Sequence, residues 1–322
     1  MTTHPLGIDV SKATFDVAVT VKAKVRQATF ANTEAGHEKL LGWLKGFSVS
    51  RVHACLESTG GYERALAQFL HERGHVVSIV NPARIKGFAQ SQMARAKTDR
   101  YDARLIERFC HQQQPEPWSP PPPELERLQS LMRRLDDLKA MRLAENSRLE
   151  TARQAQERAS IQAVVAFLDR QIAEIESEID HHIDQTPSLK RDYELLKSIK
   201  GVGEVTARQL LLVALRRFGS ARQAVAFLGL APKPHQSGTS VRSRAWLCKT
   251  GSSRLRTALY FPAIAAGRFD PVFKAFRERL EGRGKRGLVV VAALMRKLVS
   301  VAFGVLKSGV PYSAERAAAK MH

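Results

Sequence analysis

Four carboxylates in this chain sit where a strand would end or a helix begin. Asp9 lies within the apolar run Leu6-Gly-Ile-Asp9-Val10, Glu57 closes Val52-His-Ala-Cys-Leu-Glu57, and Asp99 and Asp102 fall in Lys97-Thr-Asp99-Arg-Tyr-Asp102. The surrounding chain is strongly basic, with 51 Lys and Arg against 31 Asp and Glu and a formal charge of +20. A surface of that sign attracts polyanions. Acids kept at element ends in such a chain read as ligands for hard cations. Asp9 makes the strongest case, because a charge inside an apolar strand costs several kcal/mol unless something compensates it. Asp99 and Asp102 are three apart on a predicted helix and so share a face. If the strands of Asp9 and Glu57 are neighbours, all four acids converge. Four oxygen donors can hold two Mg²⁺ ions, the arrangement that stabilises the attacking and leaving oxygens at a phosphodiester. Ordinary roles stay open for the same residues: Asp99 and Asp102 as a helix N-cap with an acid at its third position, and Glu57 as a paired surface residue.

The elements that must position these acids are legible as a pattern. Strand-like alternation marks 6–10, 15–21 and 24–30, joined by tight turns, and a helix follows at 34–44. A strand at 52–56, a helix at 62–72 and a strand at 76–80 come next, closed by Asn81-Pro82, with a further helix beginning near Thr98. Three hairpin strands followed by alternating helix and strand make an α/β layer with a mixed sheet over residues 1–114. The run Pro115-Glu-Pro-Trp-Ser-Pro-Pro-Pro-Pro123 reads as an extended linker over 115–123.

Beyond it, Leu125, Leu128, Met132, Leu135 and Leu138 repeat at three and four residues, as do Leu168, Ile172, Ile175 and Ile179. Narrow stripes with charged flanks predict coiled-coil helices over 124–186. The pair His181-His182 on this polar helix reads as solvated. From 187 to 322 the periodicity is mainly helical, and residues 241–322 hold 17 Lys and Arg against four acids. Charge concentrated this way marks a surface for phosphates. Leu196-Lys-Ser-Ile-Lys-Gly201-Val-Gly203-Glu reads as helix, glycine turn, helix. Backbone N–H groups at Gly201 and Gly203 would suit a nucleic-acid phosphate, and an ordinary αα-turn fits equally. Cys55, Cys110 and Cys248 lie far apart with no zinc spacing, so reduced thiols are expected. The apolar stretch 288–306 is broken by Arg296-Lys297 and reads as a buried or amphipathic helix, and nothing in the first residues resembles an export signal. The expectation is a cytoplasmic protein, nucleoid-associated when active, and no membrane partner.

Gly7-Ile-Asp9-Val-Ser-Lys12, Glu57-Ser-Thr-Gly60, Asn81-Pro82 and Lys97-Thr-Asp99-Arg-Tyr-Asp102-Ala103 together resemble the RuvC-like (RNase H fold) DEDD domain of the IS110 family of bacterial insertion-sequence transposases. The likeness continues through Gly201-Val-Gly203, Phe227-Leu-Gly-Leu-Ala-Pro232, Ser237-Gly-Thr-Ser-Val-Arg242 and Lys307-Ser-Gly-Val-Pro311, so it covers nearly the whole chain. The resemblance implies a Mg²⁺-dependent DNA recombinase guided by a structured bridge RNA and acting on double-stranded donor and target DNA. It implies that Asp9, Glu57, Asp99 and Asp102 bind the metal and that Ser237 is the nucleophile. It also implies a tetramer, in which the acids of one subunit complete a site with the serine of another. By sequence alone Ser240, Ser243 and Thr239 compete with Ser237, and 235–240 also looks like a polar turn.

A serine that attacks a phosphodiester leaves a covalent phosphoserine, which conserves the bond for rejoining. Arg242, Arg244, Lys249, Arg254 and Arg256 follow closely and would neutralise phosphate charge. Sequence read by base pairing to a guide would leave the protein little sequence to read itself. Three other readings compete: a metal-dependent endonuclease such as a junction resolvase, in which water attacks; a non-catalytic RNA-binding scaffold; and a sugar-kinase-like ATPase. The last is disfavoured by the basicity and by the lack of a Gly-rich phosphate loop after Asp9.

Overall fold

Alternating apolar residues at the start of the chain build three antiparallel strands, β1 (His4–Val10), β2 (Thr14–Val21) and β3 (Lys24–Ala31). The computed structural model describes residues 3–58, 60–92, 99–237, 241–248 and 251–319. Two units emerge, Met1–Pro121 and Pro122–His322. In the first, Lys22 and Ala23 between β2 and β3 have φ of 48° and 61°, the left-handed pair that a two-residue hairpin turn uses. The chain continues through α1 (Glu34–Lys45), β4 (Val52–Glu57), α2 (Arg64–Glu72), β5 (Val76–Val80), α3 (Pro82–Ser91) and α4 (Asp99–Gln113). The sheet has the order β3-β2-β1-β4-β5, with β4 parallel to both β1 and β5.

Strand alternation divides this sheet into two packed faces. Leu6, Ile8 and Val10 of β1 and Ala54 and Leu56 of β4 join Leu40 and Leu44 of α1 and Leu66 and Leu70 of α2 in one cluster. Cys55 of β4 faces the other way, into a cluster with Ile85 and Phe88 of α3 and Ile106, Phe109 and Cys110 of α4. The predicted mixed sheet with helices is therefore present, with one helix added. Asn81-Pro82, read as the end of a strand, also starts α3: the Asn81 side chain accepts from the Ala83 N–H at 2.8 Å, and Pro82 takes the first helical turn.

The first residues of the proline-rich segment run along β5. The Ser78 hydroxyl donates to the carbonyls of Pro115 (3.1 Å) and Glu116 (2.8 Å), and the Trp118 N–H donates to the Val77 carbonyl at 2.6 Å.

The second unit begins with a helical hairpin, α5 (Pro123–Thr151) and α6 (Ala155–Gln185). It continues through α7 (Pro187–Lys197), α8 (Glu204–Leu212), a 3₁₀ turn at Leu215–Arg217, α9 (Ala221–Phe227), β6 (Pro232–Ser237), β7 (Val241–Leu247), α10 (Ser253–Phe269), α11 (Pro271–Gly282), α12 (Leu288–Ser308) and α13 (Ala314–Ala319). The stripes expected on α5 and α6 do meet, and Lys139 pairs with Glu176 at 2.6 Å and Arg142 with Asp169 at 2.9 Å across the hairpin. Leu128, Met132, Leu168 and Ile172 share one buried cluster with the helices that follow, so the hairpin is an extension of a larger core. His182 departs from expectation: it is buried and its Nε2 bonds the Glu124 carbonyl oxygen at 2.8 Å, tying α6 to the start of α5. Of the run 235–240 that also looks like a polar turn, residues 235–237 belong to β6, which pairs antiparallel with β7, and 238–240 lie outside the described residues. Prolines 232 and 234 and the polar residues Lys233, His235, Gln236 and Ser237 hide this strand from periodicity. Helix α12 is long and apolar enough to cross a membrane. In this fold Leu294, Leu298, Val299 and Ala302 instead place it in the core.

Candidate active site

Parallel pairing of β1 with β4 runs in register through Ile8 and Leu56. The next residues on the two strands are Asp9 and Glu57, so these acids are neighbours at the carboxyl edge of the sheet. Both are half-buried. Gly7 and Cys55, two residues before them, face α4, and strand alternation puts Asp9 and Glu57 on that same side.

Helix α4 is laid across this face with its N-terminus toward the acids. Ala103 and Glu107 lie over Gly7, and further along the Cys110 thiol donates to the His53 carbonyl at 3.3 Å, near the start of β4. Asp102 therefore enters on the turn nearest Asp9 and Glu57. Asp99 opens the same helix one turn earlier, and its side chain lies outside the described residues. The contact that allows this approach is backbone against backbone. A Cβ on Gly7 would stand 2.1 Å from the Ala103 carbonyl oxygen and 2.2 Å from the Glu107 nitrogen.

One acid escaped the sequence reading. Asp16 of β2 is the direct cross-strand partner of Asp9, and it accepts a hydrogen bond from the Thr29 hydroxyl. Like charges placed opposite each other on a sheet repel. A bound cation would relieve that repulsion. The visible signal was an acid between Phe15 and Val17 in an otherwise apolar strand.

As a donor set, carboxylates on adjacent strands and a facing helix suit a hard divalent ion. Among the described residues no three His, Cys, Asp or Glu side chains close into a metal cage, and Asp9, Glu57 and Asp102 each have an interacting partner.

Beneath the acids, α4 is held by buried polar groups. Burial raises the Glu107 carboxyl above its ordinary range, against the opposing pull of a hydrogen bond with Thr20. Cys55 and Cys110, expected to be unrelated thiols, hydrogen-bond each other. That bond holds the Cys110 thiol down, to about 6, while the Cys55 thiol is pushed up. Both are reduced, as is Cys248.

The second group of predicted residues lies on the other unit. Ser237 is the last residue of β6 and pairs with Val241, at the far end of the hairpin from Pro232 and Leu247. Its side chain, like those of Arg242, Ser243 and Arg244 on β7, lies outside the described residues, as do Thr239, Ser240 and Lys249 altogether. Gly201 has φ of 91°, and a Cβ there would lie 2.7 Å from the Pro262 carbonyl oxygen, so this glycine seats the α7–α8 turn against α10. Gly203 is the exposed N-cap of α8, with open space where a Cβ would be. Arg254 pairs with Asp136 of α5, and Arg256 donates to the carbonyls of Gly251 (2.5 Å) and Leu228 (3.4 Å). Both guanidiniums thus brace the domain. Between Glu204 and Asp270 the chain has no Asp or Glu but eleven Lys or Arg, a composition suited to phosphate contact.

A family model described as Transposase, for the DEDD domain of IS110 elements, matches residues 6–154. A second, described as Transposase IS116/IS110/IS902 family, matches residues 193–278. The pilin gene-inverting protein of Moraxella lacunata is 33% identical over 320 residues, covering 95% of this chain and 97% of the relative. The chain belongs to the IS110 family of transposases. The pilin gene-inverting protein of Moraxella bovis is also 33% identical, over 321 residues and the same shares. A protein of insertion element IS110 from Streptomyces coelicolor matches this transposase over 120 residues at 32% identity, 37% of this chain and 29% of the relative.

The transposase is therefore an enzyme acting on DNA, and its DEDD domain is of a divalent-metal-dependent kind. The first family match begins in β1 and spans Asp9, Asp16, Glu57, Asp99 and Asp102. The second spans α8 to α10 and the hairpin that ends in Ser237.

Proposed function

We propose that this transposase exchanges DNA strands through a covalent phosphoserine at Ser237, with Asp9, Glu57, Asp99 and Asp102 holding Mg²⁺ at the phosphate that reacts. The observation that carries the reading is the meeting of Asp9 and Glu57 at one sheet edge under the N-terminus of α4. The near-full-length relatives add support. They are named for inverting a gene, an outcome that needs rejoining as well as cutting.

In this mechanism the Ser237 hydroxyl gives up its proton as its oxygen attacks phosphorus, one P–O bond to deoxyribose breaks, and the departing sugar oxygen takes up a proton. Attack by the hydroxyl of a different strand reverses the step and frees Ser237, so no external energy is required. Bound Mg²⁺ supplies electrostatic stabilisation of the attacking and leaving oxygens. Asp9, Glu57, Asp99 and Asp102 would hold it, and its charge would offset theirs beside the phosphate. Arg242, Arg244 and Lys249 flank Ser237 in sequence and neutralise the charge that develops on phosphorus, while Gly203 offers backbone N–H groups to a neighbouring phosphate.

The remaining features follow from the same reading. Donor and target duplexes are chosen by a structured bridge RNA, the enzyme works as a tetramer, and α5 and α6 pair with each other as coiled-coil helices. The functional parts are a metal-binding domain over 1–114, a linker over 115–123, coiled-coil helices over 124–186 and a basic transposase domain over 187–322.

A RuvC-like endonuclease that uses water is the second reading, favoured by the location of all four acids on one unit. Ser237→Ala separates the two. The proposed mechanism predicts loss of both strand exchange and the covalent protein–DNA product trapped by denaturation, with metal binding retained. Continued cutting by Ser237→Ala at the wild-type rate would establish the nuclease. Guidance is tested by removing RNA from the purified protein, since exchange that persists without RNA would exclude it.

A further inference from the structure

A groove of about 320 Å³ opens between α10 and α12. Its lining includes Leu247, Arg256, Tyr260, Phe261, Leu288 and Val291. Two of these residues are out of place for a core: Phe261 is 75% exposed and Leu288 72% exposed. Leaving a phenyl ring and a leucine in water forfeits roughly 2 kcal/mol each of burial. Scattered apolar residues need no explanation, but these two line one concavity, and Ile264 and Val289 beside them in sequence are also exposed.

The loop that enters the groove's wall at Leu288 is basic. Arg283, Lys285 and Arg286 lie on the exposed loop that leads into Leu288, and none of the three forms an ion pair among the described residues. No Asp or Glu occurs between Glu281 and Glu315. Inside the groove Arg256 is held in place by the carbonyls of Gly251 and Leu228. Tyr260 supports Phe261 edge-on, with ring centroids 5.3 Å apart and an interplanar angle of 86°.

We infer that this groove receives an unpaired base of single-stranded DNA, stacked on Phe261, with the adjoining phosphates on Arg283, Lys285 and Arg286. An exposed aromatic with cationic side chains nearby is the combination by which proteins hold single strands, because every base has a stacking face and every linkage has a charge. A duplex keeps its bases stacked inside and has no use for the apolar floor. The occupant is DNA because the chain belongs to a DNA-acting family, and any exchange of strands must unpair bases. Leu247 adds a spatial argument. It ends β7, opposite Pro232, whereas Ser237 ends the paired strand at the other end of the hairpin. By strand rise the groove and Ser237 are about 17 Å apart, a span of a few nucleotides. The inference needs no phosphoserine, so it stands or falls apart from the mechanism proposed above.

The test uses the full chain, a short oligodeoxynucleotide carrying one 2-aminopurine, and the matching duplex. Wild-type protein should bind the single strand and quench the fluorescent base. Phe261→Ala should weaken single-strand binding about tenfold and abolish the quench. Phe261→Trp should preserve both, and duplex affinity should stay within about twofold in either variant. Arg286→Ala should weaken the single-strand complex and flatten its salt dependence. Unchanged single-strand binding by Phe261→Ala, or an equal loss on duplex, would overturn the inference. So would a loss confined to an oligoribonucleotide of the same sequence, which would make the groove an RNA site. A shift in sedimentation with single-strand affinity intact would make it an interface between copies, and would overturn it too.

Discussion

Gly7 of β1 lies under Ala103 of α4 so closely that a single added methyl carbon would stand 2.1 Å from the Ala103 carbonyl oxygen. No side-chain rotation relieves a clash with backbone. Gly7→Ala must therefore push the N-terminal half of α4 off the sheet and carry Asp99 and Asp102 away from Asp9 and Glu57. The expected result is a loss of about 2 kcal/mol or more of stability in denaturant unfolding, in line with overpacked cores. Metal-dependent strand exchange should fall by about a hundredfold or more, measured under conditions where the variant remains folded.

Asp16→Asn tests whether the acid opposite Asp9 belongs to the metal site. Removing it relieves like-charge repulsion, so the metal-free protein should be unchanged or up to about 1 kcal/mol more stable. Divalent-ion affinity, followed by calorimetric titration with Mn²⁺, should fall by about tenfold, the usual effect of losing a group around the ligands. A variant that gains stability and keeps its full affinity would show Asp16 to be a bystander.

Glu107 gives a pH dependence with a definite sign. Burial raises its carboxyl above the unfolded value, so the folded state holds a proton that the unfolded state releases first. Stability is then full below the unfolded pKa and declines as pH rises through the folded one. Glu107→Gln removes the decline. Thermal melts from acid to neutral pH should show the wild-type and variant curves converging at the acid end, with the variant more stable near neutrality.

Asp270 joins two helices and the C-terminal segment. Its buried carboxylate accepts from the N–H groups of Val272 (2.9 Å) and Phe273 (3.1 Å), capping α11, and from the Tyr312 hydroxyl at 3.1 Å. Asp270→Ala should cost about 2 kcal/mol or more, the upper range for a cap, because the half-buried Tyr312 hydroxyl also loses its acceptor. Asp270→Asn should recover most of that loss in the same unfolding measurement.

The strands and the convergence of Asp9 with Glu57 were legible because they rest on local alternation and on the order of elements. What brings α4 down onto β1 was not, since a glycine in a strand looks the same whether it meets a helix backbone or water. Cys55 and Cys110 belong to different elements, and only the docking of α4 on β4 makes them partners. Asn81-Pro82 was ambiguous in principle, because the dipeptide that ends a strand is also an N-cap with a first-turn proline. The hairpin carrying Ser237 was hidden by residue types that strands disfavour. His182 was misjudged from its polar neighbours on α6, although its own position falls on the buried side.

The tie of Pro115, Glu116 and Trp118 to β5 bears on how the first unit behaves by itself. β5 is an outer strand of the sheet, and an outer strand with open backbone groups is a template for pairing with another molecule. Here three residues just past α4 occupy its backbone and its Ser78 side chain, and Trp118 stacks edge-on against His71. A proline-rich segment suits this place, because it can cover an edge without offering a further row of donors. A fragment cut after Gln114 would bare that strand and invite aggregation, whereas one ending at Pro121 would bring its own cover.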